Sequence, residues 1–250
     1  MEQFREKVAL VTGGGSGIGQ ATAIEFARKG AKVVVANRNE AMGHATVRLI
    51  QEIGGTAVFI KTDITDEDNV KNLLEQTVEI YGRLDFAFNN AGVSQDPGPV
   101  DLQTADEFDR ILNTNVKGVW LCMKYQLPGL VKTKGAIVNT ASMAGVVGFA
   151  GAAAYTASKH AVIGLTKSFA LEYAEAGVRI NSIAPGFIDT GMFDEVGGSD
   201  DLKKEFANQV PLKRWGQAKE IADTVIYLCS SASSFVTGHT LIADGGYTVG

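Results

Sequence analysis

The sequence is poor in the residues that build most special-purpose sites. It holds two cysteines, three histidines and five prolines in 250 residues. Cys122 and Cys229 lie far apart in apolar segments, so no disulfide framework or CxxC pair is available, and both are expected to be small buried hydrophobes. His44, His160 and His239 have no ligand spacing, and no metal site is expected. No apolar run is long enough to cross a bilayer, and the opening "MEQFREK" lacks the apolar stretch of a secretion signal. A cytoplasmic protein without membrane association is the default expectation. Neither sign of charge dominates: the net charge of −5 disfavours non-specific attraction to nucleic acid or to an anionic membrane.

What is present is a repeating alternation, with 45% hydrophobic residues and no linker or low-complexity tract to divide it. Short β-rich runs begin at Lys7, Ala31, Thr56, Leu84, Gly135, Val178 and His239. Several are nearly continuous in valine and isoleucine, as strands buried on both faces require. Helical patterns fall between them: Ile18 to Lys29, Glu40 to Ile53, Glu67 to Tyr81, Ala105 to Pro128, Tyr155 to Ala176 and Lys219 to Ser231. This order predicts one α/β domain over 1–250, a doubly wound, seven-stranded parallel sheet with helices on both faces. Ligands of such sheets bind at the carboxyl ends of the strands.

The first β run ends in "TGGGSGIG", Thr12 to Gly19, and opens the first helix. Gly13, Gly17 and Gly19 permit a close backbone approach, and the free N–H groups of the helix start, at Ser16 to Gly19 with Ile18 among them, suit a pyrophosphate. A glycine-rich turn alone would be bland, but strand, loop and helix together form a dinucleotide fingerprint. "YTASK" then sets Tyr155 and Lys159 one helical turn apart. A lysine beside a phenol favours the ionised form of a group whose ordinary pKa, about 10, is too high for a base near neutrality. Lys159 is therefore expected to make Tyr155 easier to deprotonate.

With these pieces, Asp63, "NNAG" from Asn89, "NTNVKG" from Asn113, Ser142 and "PGFIDT" from Pro185 follow in order, and the chain resembles a classical short-chain dehydrogenase/reductase over essentially its whole length. Its strings "FNNAG", "VWLCMKYQLPGL" and "SFVTGHTLIADGGYT" resemble a group labelled glucose dehydrogenase-like or cyclohexanol dehydrogenase-like. The resemblance implies a Rossmann fold and hydride transfer between a nicotinamide nucleotide and an alcohol or ketone. It implies Tyr155 as general acid or base, Lys159 as its partner and ribose ligand, Ser142 as donor to the substrate oxygen, and Asn115 in a proton relay. It also implies that Asp63 and Ile64 meet the adenine, that Asn90, Ala91 and Gly92 pass beneath the adenosine side, and that Pro185, Gly186, Ile188 and Thr190 hold the carboxamide end so that the pro-S face is used. A homotetramer is implied as well.

The end of the second strand decides between the two nicotinamide nucleotides. Asn37 stands where an acidic residue would repel a 2′-phosphate, and Arg38 follows it with a guanidinium able to clasp one. NADP(H) is expected, with NAD(H) as the alternative. Residues 187–215 interrupt the alternation and are expected to form a lid over the substrate. Ser94, Gln95, Met143, Ala144, Phe149, Phe187, Met192 and Phe193 are candidate pocket residues. They form a mostly apolar set that suits a neutral ketone or secondary alcohol. The competing reading is a catalytically silent nucleotide-binding regulator. Such proteins typically lose the tyrosine, lysine or serine, all of which are present here.

Overall fold

The computed structural model describes residues 3–191 and 199–250. Its elements run β1 (Val8–Thr12), α1 (Gly17–Arg28), β2 (Lys32–Asn37), α2 (Glu40–Glu52), β3 (Thr56–Lys61), α3 (Glu67–Tyr81), β4 (Phe86–Asn89), α4 (Ala105–Leu112), α5 (Gly118–Thr133), β5 (Ala136–Thr140), α6 (Ala153–Tyr173) and β6 (Arg179–Pro185). They end with β7 (Ile188–Asp189), α7 (Asp200–Gln209), β8 (Gly216–Gln217), α8 (Ala218–Cys229) and β9 (Thr240–Ala243). Seven strands form one parallel sheet in the order β3-β2-β1-β4-β5-β6-β9. The chain direction of assembly reverses between β1 and β4, and that switch opens a crevice at the carboxyl ends of these two strands. The expected seven-stranded sheet is thus present. The short parallel pair β7–β8 was not anticipated, being only two residues long on each side.

The strand sequences explain the two layers. In β1, Val8 and Leu10 face one core while Ala9 and Val11 face the other, and all four are essentially inaccessible. One core packs the sheet against α3, α5 and α6, the other against α1 and α8. Each fully buried valine or leucine contributes about 1.5–3 kcal/mol. Cys122 and Cys229 lie inside these cores, where burial pushes both thiols up to about 12. Among the described residues, no helix is long and apolar enough to cross a membrane.

The expected helix from Ala105 to Pro128 differs most from what forms. It is three pieces: α4, a π-helical turn over Asn113–Lys117, and α5, which runs through Pro128 to Thr133. Proline costs a helix one N–H bond. Here Leu127 and Leu130, on either side of it, are buried, and their packing carries the helix onward.

Candidate active site

The glycine loop closes tightly onto the β4 loop. Gly13 and Gly17 have φ of 63° and 51°, and a Cβ on Gly13 would stand 2.9 Å from Ala91 Cα. One on Gly19 would collide with the Gly13 carbonyl. Thr12 Oγ1 accepts from the backbone N–H groups of Asn90 and Ala91 at 3.1 and 3.2 Å, and Asn90 Nδ2 donates to the Gly13 carbonyl at 3.3 Å. Helix α1 begins after Ser16, whose side chain caps nothing, and has no acidic residue in its first turn. Its N-terminal N–H groups and positive dipole end are therefore left without side-chain competitors, and the cradle is one that could hold a pyrophosphate. Thr190 lies directly across: a Cβ on Gly17 would be 3.3 Å from its methyl. Gly186 is held against Asp244 Cα, with a built Cβ at 2.6 Å, and its N–H donates to Ala243. Pro185 and Ile188 are buried beside it.

At the carboxyl end of β2, Asn37 donates through Nδ2 to the Asn39 carbonyl at 3.2 Å. Arg38 is two-thirds exposed and its guanidinium lies 3.9 Å from the Asp63 carboxylate. Asp63 also accepts from the N–H and hydroxyl of Thr65. Ile64 is buried, its side chain packed where Gly118 leaves room.

Across the β4–β5 edge, four polar residues converge. The Lys159 ammonium donates to the Thr140 carbonyl at 2.9 Å and stands 5.5 Å from the centre of the Tyr155 ring. Gly92 passes beside it: an added Cβ would come within 3.6 Å of Lys159 Nζ and 3.1 Å of Asn115 Oδ1. The π-turn aims Asn115 into this space, where Oδ1 accepts from Val93 N–H at 2.8 Å and Nδ2 donates to Val93 O and Ser158 Oγ. Its side chain is thus a brace between the β4 loop and α6. Ser142 begins the turn after β5, its hydroxyl accepting from Ala144 N–H at 3.2 Å.

The electrostatics differ from the simple expectation. Burial pushes the Tyr155 phenol above its ordinary value, and the Ser142 hydroxyl offsets only part of that rise. Burial also lowers Lys159 to about 8. Burial and the Ser142 hydroxyl are what act on the phenol here, while the Lys159 ammonium is engaged with the Thr140 carbonyl.

The candidate pocket residues divide. Met143 and Ala144 are buried in the packing beside α6 and offer little to a ligand. Phe149 and Phe187 join a wall that sequence reasoning had not assembled. Phe187 stacks on Phe206 of α7 (4.8 Å), packs against Trp215 (5.4 Å), and meets Tyr247 edge-on (5.4 Å), which in turn stacks on Phe149 (6.0 Å). These five rings come from five separate places in the chain, and no local pattern links them. Met192 and Phe193 lie outside the described residues. Gln95 is almost fully buried and accepts from the Tyr155 N–H at 2.9 Å. Among the described residues, no group of three His, Cys, Asp or Glu side chains could hold a metal.

Comparison with known proteins agrees with this geometry. Residues 13–248 match the family model described as enoyl-(acyl carrier protein) reductase. The chain is 41% identical over 251 residues, 99% of each chain, to a 2,5-dichloro-2,5-cyclohexadiene-1,4-diol dehydrogenase of Sphingobium indicum. It is 39% identical over 247 residues, 98% of this chain and 96% of the relative, to the cyclohexanol dehydrogenase of Acinetobacter sp. strain SE19. Its structure superimposes on the crystal structure of levodione reductase with a TM-score of 0.95 and 36% identity, covering 98% of this chain and 99% of the other. The chain belongs to the short-chain dehydrogenase/reductase family, as an oxidoreductase of alcohols and ketones that works with a nicotinamide nucleotide.

Proposed function

We propose that the protein transfers hydride between NADP(H) and a neutral secondary alcohol or ketone carried on a six-membered ring. The observation that carries this reading is that Asn115 and Lys159 meet beside Gly92, with the Tyr155 ring next to Lys159 and the Ser142 hydroxyl next to the phenol, on the same sheet edge as the glycine cradle. When bound, the nicotinamide supplies or accepts the hydride and, in its oxidised form, adds positive charge near the phenol. Tyr155 donates the proton to the carbonyl oxygen in reduction and removes it in oxidation. Ser142 donates to that oxygen as negative charge grows there. Lys159 holds the ribose and, with Asn115 bracing the β4 loop beside it, returns the proton to solvent. Asn90, Ala91 and Gly92 line the adenosine side, and Pro185, Gly186, Ile188 and Thr190 the carboxamide end.

Cofactor choice rests on the neutral Asn37 and on the exposed Arg38, whose partner Asp63 lies at a distance too long for a tight pair. The ring-shaped substrate rests on the aromatic wall, which offers flat apolar faces and no charge, and on relatives named for cyclohexanol and for a cyclohexadiene-1,4-diol. Within the segment 187–215, Phe206 of α7 and Trp215 pack on Phe187, which supports a covering role. Leu171 and Phe235, among other large apolar side chains, are exposed on the single chain, and this favours the homotetramer. The retained tyrosine, lysine and serine argue against a silent nucleotide-binding regulator. The test is NADPH oxidation with aliphatic, cyclic and aryl ketones, with NADH in parallel. Turnover is expected to be fastest with cyclic ketones and NADPH. Tight nucleotide binding without turnover of any ketone would favour the regulator.

A further inference from the structure

Helix α6, which carries Tyr155 and Lys159, begins without a local cap. Its N-cap position is Ala152, whose methyl can accept nothing, and the first turn contains no acidic residue. The missing acceptor comes from 60 residues upstream, where Gln95 Oε1 takes the Tyr155 N–H. This bond fixes the amide's orientation, because a backbone N–H needs an acceptor and an NH₂ group is not one. Gln95 Nε2 is therefore the free end, and it has no partner although the residue is 4% exposed.

An orphaned buried amide donor is costly, about 1–3 kcal/mol. Such groups in native proteins call for an explanation. Among the described residues, only three buried side-chain nitrogen or oxygen atoms are without a partner. Tyr81 Oη is at the far end of α3, on the opposite edge of the sheet. Of the other two, Thr156 Oγ1 is in the first turn of α6 and Gln95 Nε2 is on the side chain bonded to that turn. Capping alone does not explain Gln95, since an acceptor-only side chain would cap α6 and leave no stranded donor. The residue sits in the loop that follows β4, at the carboxyl edge where ligands bind, and its two amide atoms share one carbon. The free donor thus shares a carbon with the oxygen that holds the first turn of the helix that presents the phenol. The complement of its free NH₂ is a hydrogen-bond acceptor, and the uncharged aromatic wall favours a neutral one.

We propose that Gln95 is a specificity-determining residue: its free Nε2–H₂ binds a second oxygen of the substrate, a keto or hydroxyl group other than the one undergoing hydride transfer. The assignment rests on the ring-ketone reductase reading above and adds to it a preference for doubly oxygenated rings. One amide then does two things. Its oxygen holds the N-terminus of α6 in place, and its nitrogen recognises substrate. A site built to hydrogen-bond an oxygen rejects an analogue that lacks it, because the buried donor is then left unpaired.

The experiment compares cyclohexanone with cyclohexane-1,4-dione, using NADPH and the intact chain, in the wild type and in Gln95→Glu and Gln95→Met. Glutamate keeps the acceptor for Tyr155 N–H and removes the donor. Methionine removes both at similar length. The quantity read is the dione-to-cyclohexanone ratio of kcat/KM, so that the dione's greater intrinsic reactivity cancels between variants. This ratio is expected to fall roughly 10- to 100-fold in both variants. A purely capping role leaves the ratio unchanged in both and lowers turnover of the two ketones together in Gln95→Met alone. That result overturns the assignment and leaves the reductase standing. Wild-type protein that reduces neither ketone overturns the ring-ketone reading and the assignment with it. If Gln95→Met fails to fold, Gln95→Glu alone carries the comparison.

Discussion

On the proposed reading, Asn37 and Arg38 set cofactor choice by the charge at a strand end. A carboxylate at position 37 would repel a 2′-phosphate, and without Arg38 nothing there would attract one. The double substitution Asn37→Asp with Arg38→Leu is expected to lower the NADPH-to-NADH ratio of kcat/KM by about tenfold or more, measured by steady-state kinetics with each nucleotide. An unmoved ratio would place discrimination elsewhere. Lys159 gives a second prediction at this scale. Its pKa falls from an ordinary 10.5 to about 8 on burial. The folded chain therefore binds fewer protons than the unfolded chain between those values, and stability rises with pH through that window. Below about pH 8 the full cost of a buried ammonium is present. Lys159→Met is expected to raise Tm by a few degrees near pH 7, an advantage that shrinks toward pH 10, by calorimetry at both ends. Equal shifts at both pH values would mean that the lysine is not buried as a strained cation.

At the scale of elements, the site depends on how α6 is tied to the sheet. Asn89 at the end of β4 donates to Gln126 of α5 and Asn139 of β5, and Gln126 donates back at 2.7 Å. Asn139 donates onward to Thr166 of α6 at 3.0 Å. This buried network is fully paired across four elements, so removing one member strands the others. Asn89→Leu is expected to cost about 2–3 kcal/mol in urea unfolding. A change under about 0.5 kcal/mol would show that apolar packing alone holds these elements. The same contrast between local and distant contacts explains what could be read in advance. Strands such as "KVALVTG" and the helix Glu67–Tyr81 follow from local pattern, and the Tyr155–Lys159 pairing follows from helical spacing. The breaks at Asn113–Lys117 did not follow, because the extra residue of a π-turn is imposed by what Asn115 must reach, Val93 and Ser158. The capping of α6 by Gln95 was equally hidden, although the lack of any capping residue before "AAYTASK" was a visible sign that a partner had to come from elsewhere. Tyr247 and Phe206 entered the aromatic wall only through tertiary contact.

For the whole molecule, the doubly wound sheet brings two chemistries to one edge. The β1–α1 loop makes a glycine cradle, the β5 loop leads into α6 with Tyr155 and Lys159, and the segments after β5, β6 and β9 bring Phe149, Phe187 and Tyr247 together. On the proposed reading, these serve the nucleotide, proton transfer and the substrate. The order of strands does this: β1 and β4 are neighbours in space though separated by two βα units in sequence, so "TGGGSGIG" and "NNAG" meet by topology. Orientation of the parts toward one another, rather than any one motif, is what supports an oxidoreductase over a nucleotide-binding module. The most direct test of that claim is Tyr155→Phe, which removes the phenolic oxygen and keeps the ring. The account predicts that ketone reduction falls by about 10²- to 10⁴-fold while the dissociation constant for NADPH stays within a few-fold of wild type. Turnover retained at the wild-type rate in Tyr155→Phe would contradict it.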